Sequence, residues 1–299
     1  MSEVVYISLS GLILAALFAS AVMWFRQSPA LWSQGPRVFA ENLVPARPRC
    51  RPFWGMAEVF IMFGAMILIG QLAIMGMMAR GWLPAPTADG EPVEQTAEQL
   101  IASVAASSFA GLCAVGIVLL WMRMIDRDAR RKLGLTASAE DVRIGLKASV
   151  MLLPPVLILS AVVSYFIPYE HPVLESLADL ATPRVFAVIF FGTAIVTPIV
   201  EEVLLRGLLQ GALQGFADRF SDPEGTSTDW RPQSFWPVVL ASFIFSLLHL
   251  GQGAAPIPLF LLSLGLGYLY RQTGSLTPSI VVHMVLNSLT LIAEFSKPS

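Results

Sequence analysis

Long apolar segments are the feature that most limits what this chain can fold into. A run of about 20 apolar residues spans the hydrocarbon core of a bilayer as a helix. Open strands would leave unpaired backbone groups in lipid, so such runs must be helical. The sequence therefore predicts an all-α fold, a polytopic membrane helix bundle with about eight transmembrane helices. The candidate runs are residues 4–25, 55–79, 100–122, 146–167, 185–213, 236–252, 256–270 and 277–295.

The sixth and seventh runs are short and are separated by "GQGAAPIP". We expect them to be tilted, re-entrant or half-buried. Composition agrees with a membrane location, because 55% of the residues are hydrophobic and only 13% are charged, against about 25% charged in soluble domains. The sequence contains no basic stripe with interleaved aromatic residues, so it gives no indication of nucleic-acid binding. We expect an integral, multi-pass protein of the cell (plasma) membrane, with membrane lipid as its surroundings.

The charge of the predicted loops alternates along the chain. Loops 26–52 and 123–147 are rich in basic residues, whereas loops 80–99 and 168–184 are acidic. Basic loops stay in the cytoplasm. This rule predicts that both termini lie outside and that loops 26–52, 123–147, 214–235 and 271–276 are cytoplasmic. His171, in the acidic loop 168–184, is interpreted as a solvated loop residue.

Three charges remain inside one apolar run, in "TPIVEEVLLRG" at 197–207. A charge at the bilayer centre costs about 2.5–3.5 kcal/mol even on the lenient insertion scale, so such residues are candidates for function. Glu202 and Arg206 are four apart and share a helix face, which predicts an ion pair. Glu201 is turned about 100° from Glu202, away from that pair. Pro198 frees a backbone carbonyl and can kink the helix beside Glu201.

Two of the three histidines lie in predicted spans, His249 in "FSLLHLG" and His283 in "HMVLN". Asn287 lies four residues after His283 and shares its helix face. Phe245 lies one turn before His249 and can limit water access. A carboxylate, two imidazoles and an amide would then converge from three helices. Such a set holds a general base, possible metal ligands and oxyanion donors, although either histidine alone could be a satisfied core residue.

The motifs "EEVLLR", "FSLLH" and "HMVLN" stand in this order in successive spans. In this, the chain resembles the CAAX prenyl proteases and bacteriocin-processing enzymes, intramembrane endopeptidases similar to the Ras-converting enzyme. The resemblance covers about 185–290, which we interpret as the protease core, whereas 1–168 holds N-terminal transmembrane helices without a recognised motif. Leu205 replaces an aromatic residue often found before the arginine, a difference that we expect to affect packing.

The resemblance implies hydrolysis of a peptide bond in a membrane-associated or lipidated protein or peptide, with a prenylated CAAX protein as the family's substrate. Glu201 and His249 would hold and deprotonate a water molecule. His283 and Asn287 would stabilise the oxyanion. Glu202, Arg206 and Phe245 would give structural support.

Other functions fit parts of the pattern. A non-catalytic scaffold or immunity factor of the same fold leaves the complete motif set unexplained. A proton-coupled transporter also uses intramembrane acids and histidines, but no inverted repeat is visible. A pure assembly factor leaves the glutamates and histidines unexplained.

A metal is a separate question. Glu201, His249 and His283 are the ligand types that suit catalytic zinc, and the family is often labelled metalloprotease. The sequence contains no HExxH helix, so three separate spans would have to supply the ligands. Our expectation is a metal-free mechanism without a cofactor, with zinc as the alternative.

Overall fold

The computed structural model describes residues 2–84, 96–167, 182–220 and 228–296. The predicted loops 80–99 and 168–184 lie partly outside these residues, and His171 lies wholly outside them. The helices of the described part are α1 (Ser2–Leu43), α2 (Met56–Ala79), α3 (Ala97–Ile125), the single-turn α4 (Ala129–Lys132), α5 (Ala139–Phe166), α6 (Pro183–Ala217), α7 (Trp236–Leu247), α8 (Pro256–Thr273) and α9 (Thr277–Ser296).

Six helices of the described part are long and apolar enough to cross a membrane, namely α1, α2, α3, α5, α6 and α9. This confirms the prediction of an all-α, multi-pass membrane bundle. The count of eight crossing helices is not confirmed. Helix α7 has only 12 residues, or about 18 Å at 1.5 Å per residue, which is less than the roughly 30 Å of a hydrocarbon core.

Helices α7 and α8 pack against each other as a hairpin. The hydroxyl of Ser246 donates to the carbonyl of Pro256 across the turn, at 2.7 Å. At the opposite end, the Arg271 guanidinium of α8 donates to the carbonyls of Pro232 and Gln233, just before α7 begins. The chain therefore enters and leaves this hairpin on the same side of the bundle, and the tilted, re-entrant and half-buried alternatives of the sequence analysis stay predictions.

One end of the bundle brings together the four loops predicted to be cytoplasmic. Arg47 pairs with Asp141 at 2.6 Å. The backbone N–H of Arg49 donates to the carbonyl of Trp230 at 3.0 Å, and that of Leu276 donates to the carbonyl of Gly134 at 2.9 Å. We call this end the four-loop face. At the other end, Arg184 pairs with Glu98, so the two groups of loops lie on opposite sides, as their charges predicted.

Helix α1 is longer than predicted. The first span was expected to end at residue 25, but the helix continues to Leu43 with a break at Gly35, where φ is 77°. Arg26 therefore lies within the span Val4–Gly35, with an exposed side chain. A long arginine side chain can bring its charge to the interface while its stem stays in lipid, so one arginine does not end a membrane helix.

A proline in α5 explains how α1 is attached. Pro155 has no N–H to donate to the carbonyl of Met151, four residues earlier. The hydroxyl of Ser20 and the indole N–H of Trp24 both donate to that carbonyl, at 3.1 and 2.9 Å. Two side chains of α1 thus replace the missing helical bond and fix α1 against α5.

Helix α6 forms the centre of the bundle. Every residue from Val203 to Gln210 is buried, as expected for a segment that is enclosed on all sides. Its apolar side chains join a core with residues of α2, α3, α7 and α8. Glu202 and Arg206 of "EEVLLR" are buried and are therefore held away from lipid by the surrounding helices.

Candidate active site

Helix α6 departs from regular α geometry on both sides of its two glutamates. The segments Phe190–Val196 and Val203–Gln210 are π-helical, and the α-helical turn Thr197–Glu202 lies between them. π-Helical segments are rare and occur frequently at functional sites. The sequence analysis assumed a regular helix here and predicted only the disturbance at Pro198.

Glu202 is fully buried and holds two partners. One of its carboxylate oxygens lies 3.1 Å from Nη1 of Arg206, which confirms the predicted ion pair. The same oxygen lies 2.9 Å from Nδ1 of His283. Arg206 also donates to the hydroxyl of Ser263 at 2.8 Å, and its guanidinium stacks over the ring of Phe245 at 4.7 Å. The contact between Glu202 and His283 was missed because the two residues are 81 positions apart.

Glu201 is the more accessible carboxylate, with 29% of its side chain exposed. Its Oε2 lies 3.8 Å from Nε2 of His283. This oxygen is buried and has no hydrogen-bond partner among the residues that the structure describes. The two ring nitrogens of His283 therefore point to different glutamates, Nδ1 to Glu202 and Nε2 towards Glu201.

His249 lies in the turn after α7, because the helix ends at Leu247 and does not continue to residue 252 as the predicted run did. Its Nδ1 lies 2.8 Å from the carbonyl of Phe245. A carbonyl can only accept, so Nδ1 carries the proton and Nε2 is left as a proton acceptor. The ring of Phe245 lies 4.7 Å from the ring of His249 and 6.0 Å from that of His283, and so it touches both imidazoles.

Asn287 uses one of its amide hydrogens to bind α6. Its Nδ2 donates to the carbonyl of Thr193 at 2.9 Å. In a π-helix this carbonyl would accept from the residue five positions later, which is Pro198 and has no N–H. The proline thus leaves a free carbonyl, as predicted, and Asn287 satisfies it. This contact was not predicted, and it leaves one amide hydrogen of Asn287 for another acceptor.

The donor set does not fit a metal ion. The zinc alternative requires Glu201, His249 and His283 to converge on one point. Within the described ranges, no group of three or more histidine, cysteine or acidic side chains is arranged to hold a metal. We therefore derive no chemical step through a metal.

Residues 183–289 match the family model of Rce1-like proteins, described as type II CAAX prenyl endopeptidase Rce1-like. The match covers 107 of the chain's 299 residues, and we call this similar stretch the Rce1-like segment. It contains every residue that the motifs singled out for chemistry or support, from Glu201 to Asn287. The match and the apolar helices together support an integral, multi-pass membrane protein, and residues 183–289 are similar to the CAAX-type intramembrane proteases in general. No curated protein and no solved structure matches the chain.

The connection between α1 and α2, residues 44–55, packs against the Rce1-like segment. The guanidinium of Arg49 lies over the rings of Trp230 and Tyr270 and donates to the carbonyl of Arg271. Burial lowers the pKa of Arg49 to about 10. The indole N–H of Trp54 donates to the carbonyl of Gly207 in α6. Residues outside the matched segment therefore contribute directly to its packing.

Proposed function

We propose that the chain is an intramembrane endopeptidase that hydrolyses a peptide bond in a membrane-associated protein, with a lipidated, CAAX-type C terminus as the first candidate substrate. The observation that carries the proposal is the position of Glu201. Its buried Oε2 has no hydrogen-bond partner in the described part of the chain and lies 3.8 Å from His283, while its side chain stays partly exposed. The Rce1-like match supports this class and favours neither a scaffold nor a transporter.

In the proposed reaction, Glu201 and His249 hold a water molecule, and Glu201 takes its proton. The water oxygen attacks the carbonyl carbon of the peptide bond and forms a tetrahedral oxyanion. When the C–N bond breaks, the leaving nitrogen takes the proton that Glu201 received. The products are a carboxylic acid and an amine, and Glu201 is again a carboxylate. A positioned base of this kind contributes about 10²–10⁴ to the rate.

His283 is suited to stabilise the oxyanion. Glu202 accepts the proton of Nδ1 at 2.9 Å, so Nε2 is the nitrogen that faces the site. To donate to the oxyanion, Nε2 must carry a proton while Nδ1 donates to Glu202, so the proposed reaction uses His283 with both ring nitrogens protonated, between the carboxylates of Glu201 and Glu202. Arg206 balances the charge of Glu202 in turn. Glu202 would then act on the reaction through His283, in addition to the bracing role that the sequence predicted.

Asn287 would supply the second oxyanion donor. One of its amide hydrogens is held by the carbonyl of Thr193, which limits rotation of the amide group. The other remains available, and a fixed donor is worth more to a developing charge than a mobile one. The hydrogen bond to α6 thus orients the group that we assign to the oxyanion.

The test is cleavage by purified full-length protein in lipid, with a panel of lipidated and unlipidated peptides and mass spectrometry of the products. We expect Glu201→Gln to insert and purify normally and to lose at least about 10²-fold in turnover, the lower range for a lost general base. Glu98→Gln is the matched control, because this glutamate lies at the end of the bundle opposite the four-loop face and its side chain is 69% exposed. Wild-type turnover by Glu201→Gln, or no cleavage of any peptide by the wild type, would overturn the proposal.

A further inference from the structure

Trp54 lies outside the Rce1-like segment, yet its ring rests on the helix that carries the two glutamates. Its indole N–H donates to the carbonyl of Gly207 at 3.1 Å, across 153 positions of sequence. The side chain is buried at 5% exposure. Gly211 permits this approach, because a Cβ at that position would lie 2.9 Å from the indole ring. Gly211 therefore presents bare backbone to the indole ring, whereas Gly207 contributes its carbonyl oxygen.

The carbonyl of Gly207 lies where the second π-helical segment returns to α geometry. The N–H of Gly211 donates to the carbonyls of Arg206 and Leu208. The carbonyl of Gly207, which lies between these two, does not receive this hydrogen bond. A change from π to α pairing leaves one carbonyl without its helical partner. A buried carbonyl without a partner is costly, and the indole N–H of Trp54 removes that cost.

The first π-helical segment ends in the same way. The N–H of Thr197 bonds to the carbonyl of Gly192, and Pro198 has no N–H for the carbonyl of Thr193. Asn287 supplies the missing donor from α9. Each π-helical segment beside the glutamates is thus completed by a side chain from outside α6.

The geometry of the second segment determines how the turn with the two glutamates is rotated relative to the C-terminal end of α6. Relaxing Val203–Gln210 to α pairing would change its register by one residue, a rotation of about 100° between the parts on either side. The C-terminal side is held in place, because Gln210 donates to the carbonyl of Gly267 in α8. The rotation would therefore turn Glu202 away from His283 in α9, although Arg206 would stay one helical turn from Glu202.

We propose that Trp54 is a positioning residue for the candidate active site. By binding the carbonyl of Gly207 it keeps Val203–Gln210 in π geometry, and it thereby keeps Glu202 in contact with His283. Its effect on turnover rests on the proposed protease function. Its effect on the backbone of α6 does not.

The experiment compares Trp54→Phe with Trp230→Phe in the full-length protein in lipid nanodiscs. Trp230 is a matched control, because it is equally buried and its Nε1 has no hydrogen-bond partner in the described part of the chain. We expect Trp54→Phe to speed amide hydrogen exchange at 203–211 about tenfold or more, without a change in α3, since local opening is controlled by local contacts. We expect turnover, measured as kcat, to fall about tenfold or more with KM within about twofold, because misplacing a catalytic group affects the chemical step.

A second variant covers the case in which Trp54→Phe fails to fold. Replacing Trp54 by its benzothiophene analogue keeps the ring size and removes only the N–H donor, so it should reproduce both effects. Unchanged exchange at 203–211 in the analogue, or equal effects in Trp230→Phe, would overturn the positioning role. If the wild type cleaves no peptide, the proposed function fails, while the exchange measurement still decides the role of Trp54.

Discussion

Glu202 and Glu201 are adjacent, but their surroundings predict different responses to substitution. Glu202 is fully buried between Arg206 and His283. We expect Glu202→Gln to lower the free energy of unfolding by about 3–5 kcal/mol, because Arg206 is left as an uncompensated buried charge. Chemical or thermal unfolding in detergent measures this loss.

Glu140→Gln provides the comparison for Glu202→Gln. Glu140 also pairs with an arginine, Arg47, but its side chain is 74% exposed. Exposed pairs contribute about 0–1 kcal/mol, so this variant should stay close to the wild type. A fully stable Glu202→Gln protein would show that the pair with Arg206 does not hold the helix.

Metal removal tests the same site. The described donors do not form a metal-binding group, so we expect purified active protein to contain no stoichiometric zinc and to keep its turnover through a chelator titration. Elemental analysis and activity are measured on one preparation. Zinc whose removal abolishes activity, and whose return restores it, would show that the two histidines and Glu201 converge in the working enzyme.

Local spacing was sufficient to predict the pair of Glu202 with Arg206, since four residues form about one helical turn. The contacts of His283 with Glu202 and of Asn287 with Thr193 join residues 81 and 94 positions apart. They depend on how α9 packs against α6, and no short-range pattern encodes that packing. The identities of the site residues were therefore accessible from the sequence, but their hydrogen bonds were not.

At the scale of elements, the turn before α5 has no room for an added methyl group. Gly134 has φ +87°, and a Cβ there would clash with the backbone carbonyl oxygen of Gly274. We expect Gly134→Ala to cost more than about 2 kcal/mol, from left-handed backbone strain of about 1–2 kcal/mol plus displacement of the neighbouring turn. Thermal unfolding measures the loss.

Gly81→Ala separates these two causes. Gly81 also has a positive φ, +72°, but its Cβ would meet nothing within 4 Å. It should therefore show the backbone strain alone, about 1–2 kcal/mol. Equal losses of unfolding free energy in Gly134→Ala and Gly81→Ala would mean that the turn at Gly274 can move aside without a free-energy cost.

The positions of helices were predicted correctly where apolar composition defines them. The predictions were wrong where contacts with distant residues decide the local helix geometry or the end of a helix. The apolar runs located the helices, and Pro198 indicated the freed carbonyl. The π-helical segments have no local marker, because their unpaired carbonyls are completed by Trp54 and Asn287 from distant parts of the chain. The end of α1 was misplaced at Arg26 because the sequence does not show where a long side chain can reach water.

At the scale of the whole molecule, the loop charges predict the orientation. Thr136 is exposed at the four-loop face, and Glu98 is exposed at the opposite end. In a variant without Cys50 and Cys113, we expect Glu98→Cys to react with an impermeant thiol reagent on intact cells. Thr136→Cys should react only after the cells are permeabilised, because basic loops stay in the cytoplasm. The reverse labelling pattern would invert the assigned orientation.

The long separations between partners also set the order in which the site can come into being during synthesis. Glu202 leaves the ribosome 81 residues before His283, a delay of roughly 4–16 seconds at about 5–20 residues per second. During that interval Trp54 and α6 have been made, but the histidine partner of Glu202 has not. A nascent chain that stalls before α9 therefore lacks both His283 and Asn287, and under the proposed function it would be inert.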